Sequence, residues 1–322
     1  MSPRSEILPP DAGYVILAGP TASGKTALAL RLAEDFDAEI VSADSMMVYR
    51  HMDIGTAKPD RETLARIPHH LVDIKDPDEH YDAALFSRMA ASTLAGIRSR
   101  GRRAIVAGGT GLYLRALEKG LVEAPPRDPR LRRELEAAAD EKGTAWLFAE
   151  LLKVDPDAGE KIMPGDRVRI IRALEIFRGT GVPASVLRKS HGFRRPGTGA
   201  LFLVLDVPGE TLRRSIARRA ARMVEQGLIE ETEKLMAMGY QESLKPMKAL
   251  NYRHACRYLD GSLDRQALLR SMETDTWHFA RRQMNWFRSE NGTEFVAAEY
   301  VTVRARAARY FEKWRTREAG NI

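Results

Sequence analysis

Cysteine occurs once, as Cys256, in a chain of 322 residues. One thiol cannot build an internal disulfide framework or a cysteine-based zinc cluster, and it suits a reducing compartment. Its ordinary role is that of a small buried apolar residue. Long hydrophobic runs are also missing: no stretch approaches the roughly 18 apolar residues that a membrane-spanning helix needs. Met1 to Gly13 lacks the apolar block of a signal peptide. These absences point to the cytoplasm and to no membrane partner. Internal repeats and low-complexity tracts are absent too, which excludes solenoid and linker-like architectures.

What is present is an ordinary globular composition, 44% hydrophobic and 30% charged, with enough apolar material for a full core. The length exceeds one common domain, so a core with a sizeable addition is expected. Fifty-one Lys and Arg against 44 Asp and Glu give a net charge of +7. That balance favours a polyanionic partner without deciding it, since basic proteins with no nucleic-acid partner are common.

Tyr14 to Ala18 is a short apolar run ending in a glycine turn and reads as a buried strand; Ala27 to Phe36 reads as a helix. Glu39 to Ser42 is a second strand, Ala83 to Arg100 a helix, and Ala104 to Ala107 a third strand closed by Gly108-Gly109-Thr110-Gly111. This alternation predicts a parallel α/β sheet with helices on both faces. Pro125, Pro126 and Pro129 then break the pattern, and Leu131 to Leu187 shows helical periodicity alone. Strand character returns at Leu201 to Asp206, and the remainder is mostly helical, with a long segment from Arg265 to Arg288. The expected layout is a core of residues 1–118 and 198–322 interrupted by a helical insertion over 119–197.

Gly19-Pro20-Thr21-Ala22-Ser23-Gly24-Lys25-Thr26 fits the phosphate-binding loop pattern, and it lies between a strand and a helix as that loop must. Its backbone N–H groups and the helix N-terminus suit phosphate oxygens, Lys25 supplies a point charge, and the Thr26 hydroxyl is placed to ligate Mg²⁺. A nucleotide hydrolase adds an Asp at the end of an apolar strand; Asp206 fits that description and fits a turn cap equally well. In an open parallel sheet, ligands sit at the carboxyl ends of the strands. Asp44 and Thr110 both follow strands and belong to that crevice. For Asp44 a helix cap, a metal ligand and a general base are all open; for Thr110, a turn residue or a phosphate contact. Lys58 is either a solvated charge or a second phosphate contact.

Taken in series, the segments resemble the tRNA dimethylallyltransferase family, also called tRNA isopentenyltransferases. The residues that carry the resemblance are the loop at 19–26, Asp44-Ser45 with Val48-Tyr49, and Met52-Asp53-Ile54-Gly55-Thr56-Ala57-Lys58-Pro59. Further along are His69 to Ile74, Gly108 to Tyr113, Arg172-Ala173-Leu174-Glu175 with Thr180-Gly181, and Ala280-Arg281-Arg282-Gln283 with Trp286-Phe287. The resemblance implies a P-loop NTPase-like core with a helical insertion and a helical C-terminal region. It implies transfer of dimethylallyl from dimethylallyl diphosphate to the N6 amine of the adenine 3′ of the tRNA anticodon, by a monomer. It makes Asp44 the general base, with Lys25, Thr26, Thr110 and Arg219 at the reaction centre and Mg²⁺ on Thr26. It assigns tRNA contacts to Asp44, Ser45, Met46, Met47 and Thr110, to Arg169 and Arg172, to Lys248, Asn251, Tyr252 and Arg253, and to Arg281, Arg282 and Gln283.

The chain departs from that family's pattern where Met47 replaces Gln, Asn251 replaces Gly, and Trp277, Gly209 and Ser215 replace Arg. Three rival readings stand beside the resemblance. They are a P-loop small-molecule or nucleoside kinase, an adenylate-type isopentenyltransferase acting on free nucleotides, and an RNA-binding relative without catalysis.

Overall fold

β1, Tyr14–Ala18, is an apolar run buried on both faces, as a central strand of a parallel sheet requires. The structure is a computed structural model that describes residues 13–122, 124–191 and 198–320. Met1 to Ala12, most of the stretch read for a signal peptide, lies outside the described residues. Two compact units emerge, residues 1–118 with 196–322 and residues 119–195.

In the first unit β1 leads to α1 (Lys25–Phe36), β2 (Ala38–Ser42), α2 (Arg61–Arg66), the two-residue β3 (His69–His70), α3 (Ala83–Ser99), β4 (Arg103–Gly108) and α4 (Gly111–Lys119). The second unit holds α5 (Pro129–Lys142), α6 (Thr144–Val154), α7 (Pro156–Gly159), α8 (Arg167–Thr180) and α9 (Ala184–His191). The first unit then resumes with β5 (Leu201–Asp206), α10 (Gly209–Glu225), α11 (Leu228–Ala237), α12 (Leu250–Leu259), α13 (Arg265–Arg288), β6 (Glu294–Ala297) and α14 (Tyr300–Gly320).

The sheet runs β3-β2-β4-β1-β5-β6 with all pairs parallel. The period of two along each strand separates two packing surfaces. Val15, Leu17, Ile105, Leu203 and Leu205 meet Leu28 and Leu32 of α1 and Val303 and Phe311 of α14. On the other face Phe202 lies edge-on to Phe287 of α13, with ring centroids 6.4 Å apart. Neither β3 nor β6 is marked in the amino-acid sequence. Both are edge strands too short for alternation to register, so Thr110 follows the fourth strand rather than the third.

The second unit has its own apolar core, built on Leu135, Leu147, Leu151, Ile170, Ile171 and Leu174. Side chains cap its helices: Asp128 accepts from the Arg130 and Leu131 amides, and Asp166 from the Arg169 amide. Buried Asp155 serves two segments at once, accepting from the Ala158 and Ser185 amides. Gly181 stops α8 at φ 71°, a left-handed turn that glycine adopts without a Cβ penalty.

In the first unit, where the chain leaves at Glu118 and returns at Thr198, the two crossings are tied together. The Glu118 carboxylate accepts from the Thr198 hydroxyl at 2.6 Å and from the Tyr14 hydroxyl of β1, and the two hydroxyl oxygens lie 2.8 Å apart. No helix among the described residues is long and apolar enough to cross a membrane.

Candidate functional site

Because β2, β4 and β1 are parallel neighbours, the loops after all three open on the same edge of the sheet. The loop after β1 is the Gly19–Thr26 turn. Ala22 and Gly24 take positive φ, 66° and 85°, and the Ser23 N–H closes a turn on the Pro20 carbonyl at 3.2 Å. Lys25 Nζ also donates to that carbonyl, at 3.3 Å. Burial pushes the Lys25 ammonium down to about 8; nearby Asp44 opposes the drop and Arg219 adds to it. Burial likewise lowers the Arg219 guanidinium, again opposed by Asp44. The three groups therefore share one electrostatic neighbourhood.

Gly108 at the end of β4 meets the turn after β2 so closely that a Cβ would lie 2.3 Å from the Ala43 carbonyl oxygen. That contact brings Thr110 beside Asp44: the Thr110 hydroxyl accepts from the Ser45 N–H at 3.1 Å, and the Asp44 carboxylate accepts from the Met46 N–H at 2.8 Å. Asp44 thus makes a local turn with one oxygen while facing the cavity. Thr110 holds the turn as well as lining it.

Two cavities meet here. A crevice of about 1170 Å³ is walled by Lys25, Thr26, Arg50, Arg218, Arg219 and Arg222 among others. A chamber of about 290 Å³ is walled by Asp44, Thr110, Ile216, Arg219, Tyr252 and Phe279 among others. Arg219 and Met223 border both. Phe279 lines the chamber and is 37% exposed, with the Arg282 guanidinium 5.9 Å from its ring centroid.

The segment 52–58 separates these spaces, and contacts distant in sequence fix it. Lys58 borders the crevice, but its ammonium is already engaged. Its side chain is 2% exposed and its ammonium bonds the Tyr49 carbonyl at 2.9 Å and the Asp53 and Asp73 carboxylates. Asn251 donates to the Gly55 carbonyl at 2.7 Å, a bond that glycine at that position lacks. Tyr252 packs on Gly55 so tightly that a Cβ there would lie 2.4 Å from the ring. Glu231, which the sequence reading does not single out, accepts from the Asp53, Ile54 and Gly55 amides and from the Tyr252 hydroxyl. Gln283 is buried between two loops: it accepts from the Thr21 N–H and donates to the Gly109 carbonyl, each at 2.8 Å. Its side chain is taken up by backbone rather than turned to solvent.

The remaining expected residues scatter. Ser45, Met46, Lys248 and Asn251 line the chamber. Met47 faces a recess of about 30 Å³ with Lys25, Thr26 and Ser42, and its sulfur accepts from the Ser42 hydroxyl at 3.8 Å. Arg253 pairs with Asp275 at 2.7 Å; Arg281 and Arg282 are exposed on α13. Arg169 and Arg172 lie on α8 of the second unit, where Arg172 is held by Glu175 and the Pro125 carbonyl. Trp277 stacks under the Arg213 guanidinium at 3.9 Å, and a Cβ at Gly209 would lie 3.4 Å from its ring, so two of the departures from the family pattern are neighbours. Asp206 is exposed and borders neither cavity, which removes its reading as a metal-directed Asp. Among the described residues no group of three or more His, Cys, Asp and Glu gathers to hold a metal.

Comparison with known proteins gives a consistent result. The family model described as "IPP transferase" matches residues 47–290, and that described as "Isopentenyl transferase" matches residues 13–75. The chain is 49% identical over 276 residues to "tRNA dimethylallyltransferase 2" of Geotalea uraniireducens, covering 86% of this chain and 89% of that one. It is 47% identical over 285 residues to "tRNA dimethylallyltransferase" of Myxococcus xanthus, covering 88% and 92%. Its fold resembles the crystal structure of the full-length tRNA isopentenylpyrophosphate transferase of Bacillus halodurans, with TM-score 0.69, 33% identity and coverage of 96% and 99%. A eukaryotic dimethylallyltransferase acting on tRNA matches with TM-score 0.74 and 27% identity, covering 88% of this chain and 73% of that one.

Proposed function

The chain belongs to the tRNA dimethylallyltransferase family, and from that premise we propose that it transfers dimethylallyl from dimethylallyl diphosphate to the N6 amine of the adenine 3′ of the tRNA anticodon. The observation that carries this reading is the pair of cavities that share Arg219. One is basic and contains the phosphate loop; the other is smaller, partly apolar and contains Asp44. A donor and an acceptor can then approach a single point from different sides.

In this reading the diphosphate lies on the Gly19–Thr26 backbone with Lys25, and the adenine, flipped out of its stack, occupies the chamber beside Phe279. An exposed aromatic ring suits a splayed RNA base. As the allylic C–O bond breaks, negative charge builds on the departing diphosphate; fixed N–H groups, Lys25 and Arg219 stabilise it. The amine lone pair attacks the allylic carbon and Asp44 takes the amine proton. Thr26 lines the crevice beside Lys25, so its hydroxyl would hold Mg²⁺. When bound, the ion supplies positive charge against the leaving group. Ser45, Met46, Lys248, Arg281 and Arg282 contribute RNA contacts in the first unit, and Arg169 and Arg172 contribute RNA contacts of their own in the helical unit. We place the protein in the cytoplasm as a monomer, working as a P-loop core with a helical insertion.

The kinase reading lacks support from Asp206, which lies away from the crevice. The test is incubation with dimethylallyl diphosphate, Mg²⁺ and an anticodon stem-loop, followed by mass spectrometry of the digested nucleosides. N6-isopentenyladenosine is the expected product. Its absence, together with ATP-dependent phosphorylation of a small molecule, would overturn the proposal.

A further inference from the structure

An acid in the first turn of a helix ordinarily complements the helix dipole. Glu231, in the first turn of α11, reaches further. Its Oε2 accepts from the N–H groups of Asp53 and Ile54, each at 2.9 Å, and its Oε1 accepts from the Gly55 N–H at 3.0 Å and the Tyr252 hydroxyl at 2.7 Å. Three successive backbone N–H groups aimed at one anion form a nest. Here the anion is a side chain of the same protein, 176 to 178 residues away in sequence.

The held segment reaches the reaction centre. Thr56, the next residue, bonds the Met52 carbonyl through its hydroxyl at 2.7 Å, and its own carbonyl accepts from Arg219 Nη2 at 3.4 Å. Arg219 borders both the crevice and the chamber. A continuous chain therefore runs from Glu231 through 53–56 to the Arg219 guanidinium.

We propose that Glu231 is a positioning residue for transfer: its carboxylate sets the 53–56 segment so that the Thr56 carbonyl aims the Arg219 guanidinium at the diphosphate. This rests on the function proposed above. An ionised carboxylate suits the task because it only accepts, offering lone pairs to all four donors at once. The isosteric amide of Glu231→Gln must turn an NH2 group toward at least one backbone N–H. The segment then shifts and the guanidinium loses its aim, although every group that would touch substrate remains.

The test is a double-mutant cycle between Glu231→Gln and Arg219→Ala, read in single-turnover transfer with dimethylallyl diphosphate and an anticodon stem-loop. Glu231→Gln is expected to slow transfer by ~10-fold or more, as small misplacements of a reacting group do, with the KM for RNA moved less than about twofold. In the Arg219→Ala background the same change is expected to cost less than about twofold, because coupled residues are non-additive. Equal losses in both backgrounds, or a loss confined to the RNA KM, would overturn the proposal. Tyr252→Phe removes one donor and keeps the carboxylate; it is expected to give a smaller change of the same kind should Glu231→Gln fold poorly, and a larger one counts against the proposal. Calorimetric binding of inorganic diphosphate separates this idea from the function it rests on. If the wild type transfers nothing, the function fails, while weaker diphosphate binding on Glu231→Gln that vanishes in the Arg219→Ala background still upholds the positioning role. No such weakening, or weakening in both backgrounds, ends it.

Discussion

The Thr21 backbone N–H donates to the side-chain oxygen of Gln283 at 2.8 Å, across 262 positions of sequence. The nitrogen of the same amide donates to Gly109, so one side chain sets the spacing between the phosphate loop and the turn that carries Thr110. Gln283→Leu leaves a buried donor and a buried acceptor without partners, a loss worth about 1–3 kcal/mol for each group. The expected outcome is a lower denaturant midpoint together with slower transfer. A normal midpoint and rate would show that the two loops keep their spacing unaided.

Lys25 gives a pH signature. Its ammonium sits at about 8 in the folded protein, against an ordinary 10.5. Between those values the unfolded chain keeps a proton that the folded chain has released, so this group's contribution makes folding more favourable as pH rises through that window. Affinity for diphosphate runs the other way, because the neutral amine attracts phosphate less. Titration of inorganic diphosphate is expected to show weakening above pH about 8 in the wild type and no such step in Lys25→Met. A step of equal size in both proteins would assign it elsewhere.

Asp44→Asn retains the oxygen that accepts from the Met46 N–H, so the turn after β2 survives. What it loses is the ability to take a proton. Single-turnover transfer is expected to slow by ~10²-fold or more, with both substrates bound as before. Near-normal rates would remove Asp44 from the role of base.

Met47 is the departure from the family pattern with the clearest structural placement. Its side chain faces the recess shared with Lys25 and Thr26, while Met46 lines the chamber. Met47→Gln is therefore expected to leave discrimination among bases at the target position unchanged, with any effect confined to the rate. Stem-loops carrying a substituted target base measure this directly; sharper discrimination by the variant would place residue 47 against the adenine.

The contrast between what the sequence makes legible and what it hides is physical. Gly19 to Thr26, Asp44 and Thr110 each follow a strand within a few residues, and parallel pairing then forces their loops onto one edge. The apolar strands Tyr14–Ala18 and Leu201–Asp206 are equally readable, whereas His69–His70 and Glu294–Ala297 are too short to register a period. Lys58 reads as a solvated charge or a phosphate contact because charge is visible in a sequence and burial among Tyr49, Asp53 and Asp73 is not. Glu231 and Gln283 are equally hidden in their roles. Their partners include backbone groups 174 to 262 positions away, and backbone donors carry no residue-specific signal. Glycine offers a trace, since Gly55 and Gly109 both stand where a Cβ would strike the very residues, Tyr252 and Gln283, that hold the loops.

The knot of Tyr14, Glu118 and Thr198 bears on how such a chain can change over time. Because the two crossings are fastened to each other and to β1, the sheet meets the intervening residues as a closed loop with anchored ends. The entropy of closing a flexible loop rises slowly with its length, by only ~0.6 kcal/mol per doubling. Residues between the two crossings can therefore be lengthened, trimmed or exchanged while the strands keep their register and the loops at their carboxyl edge keep their spacing.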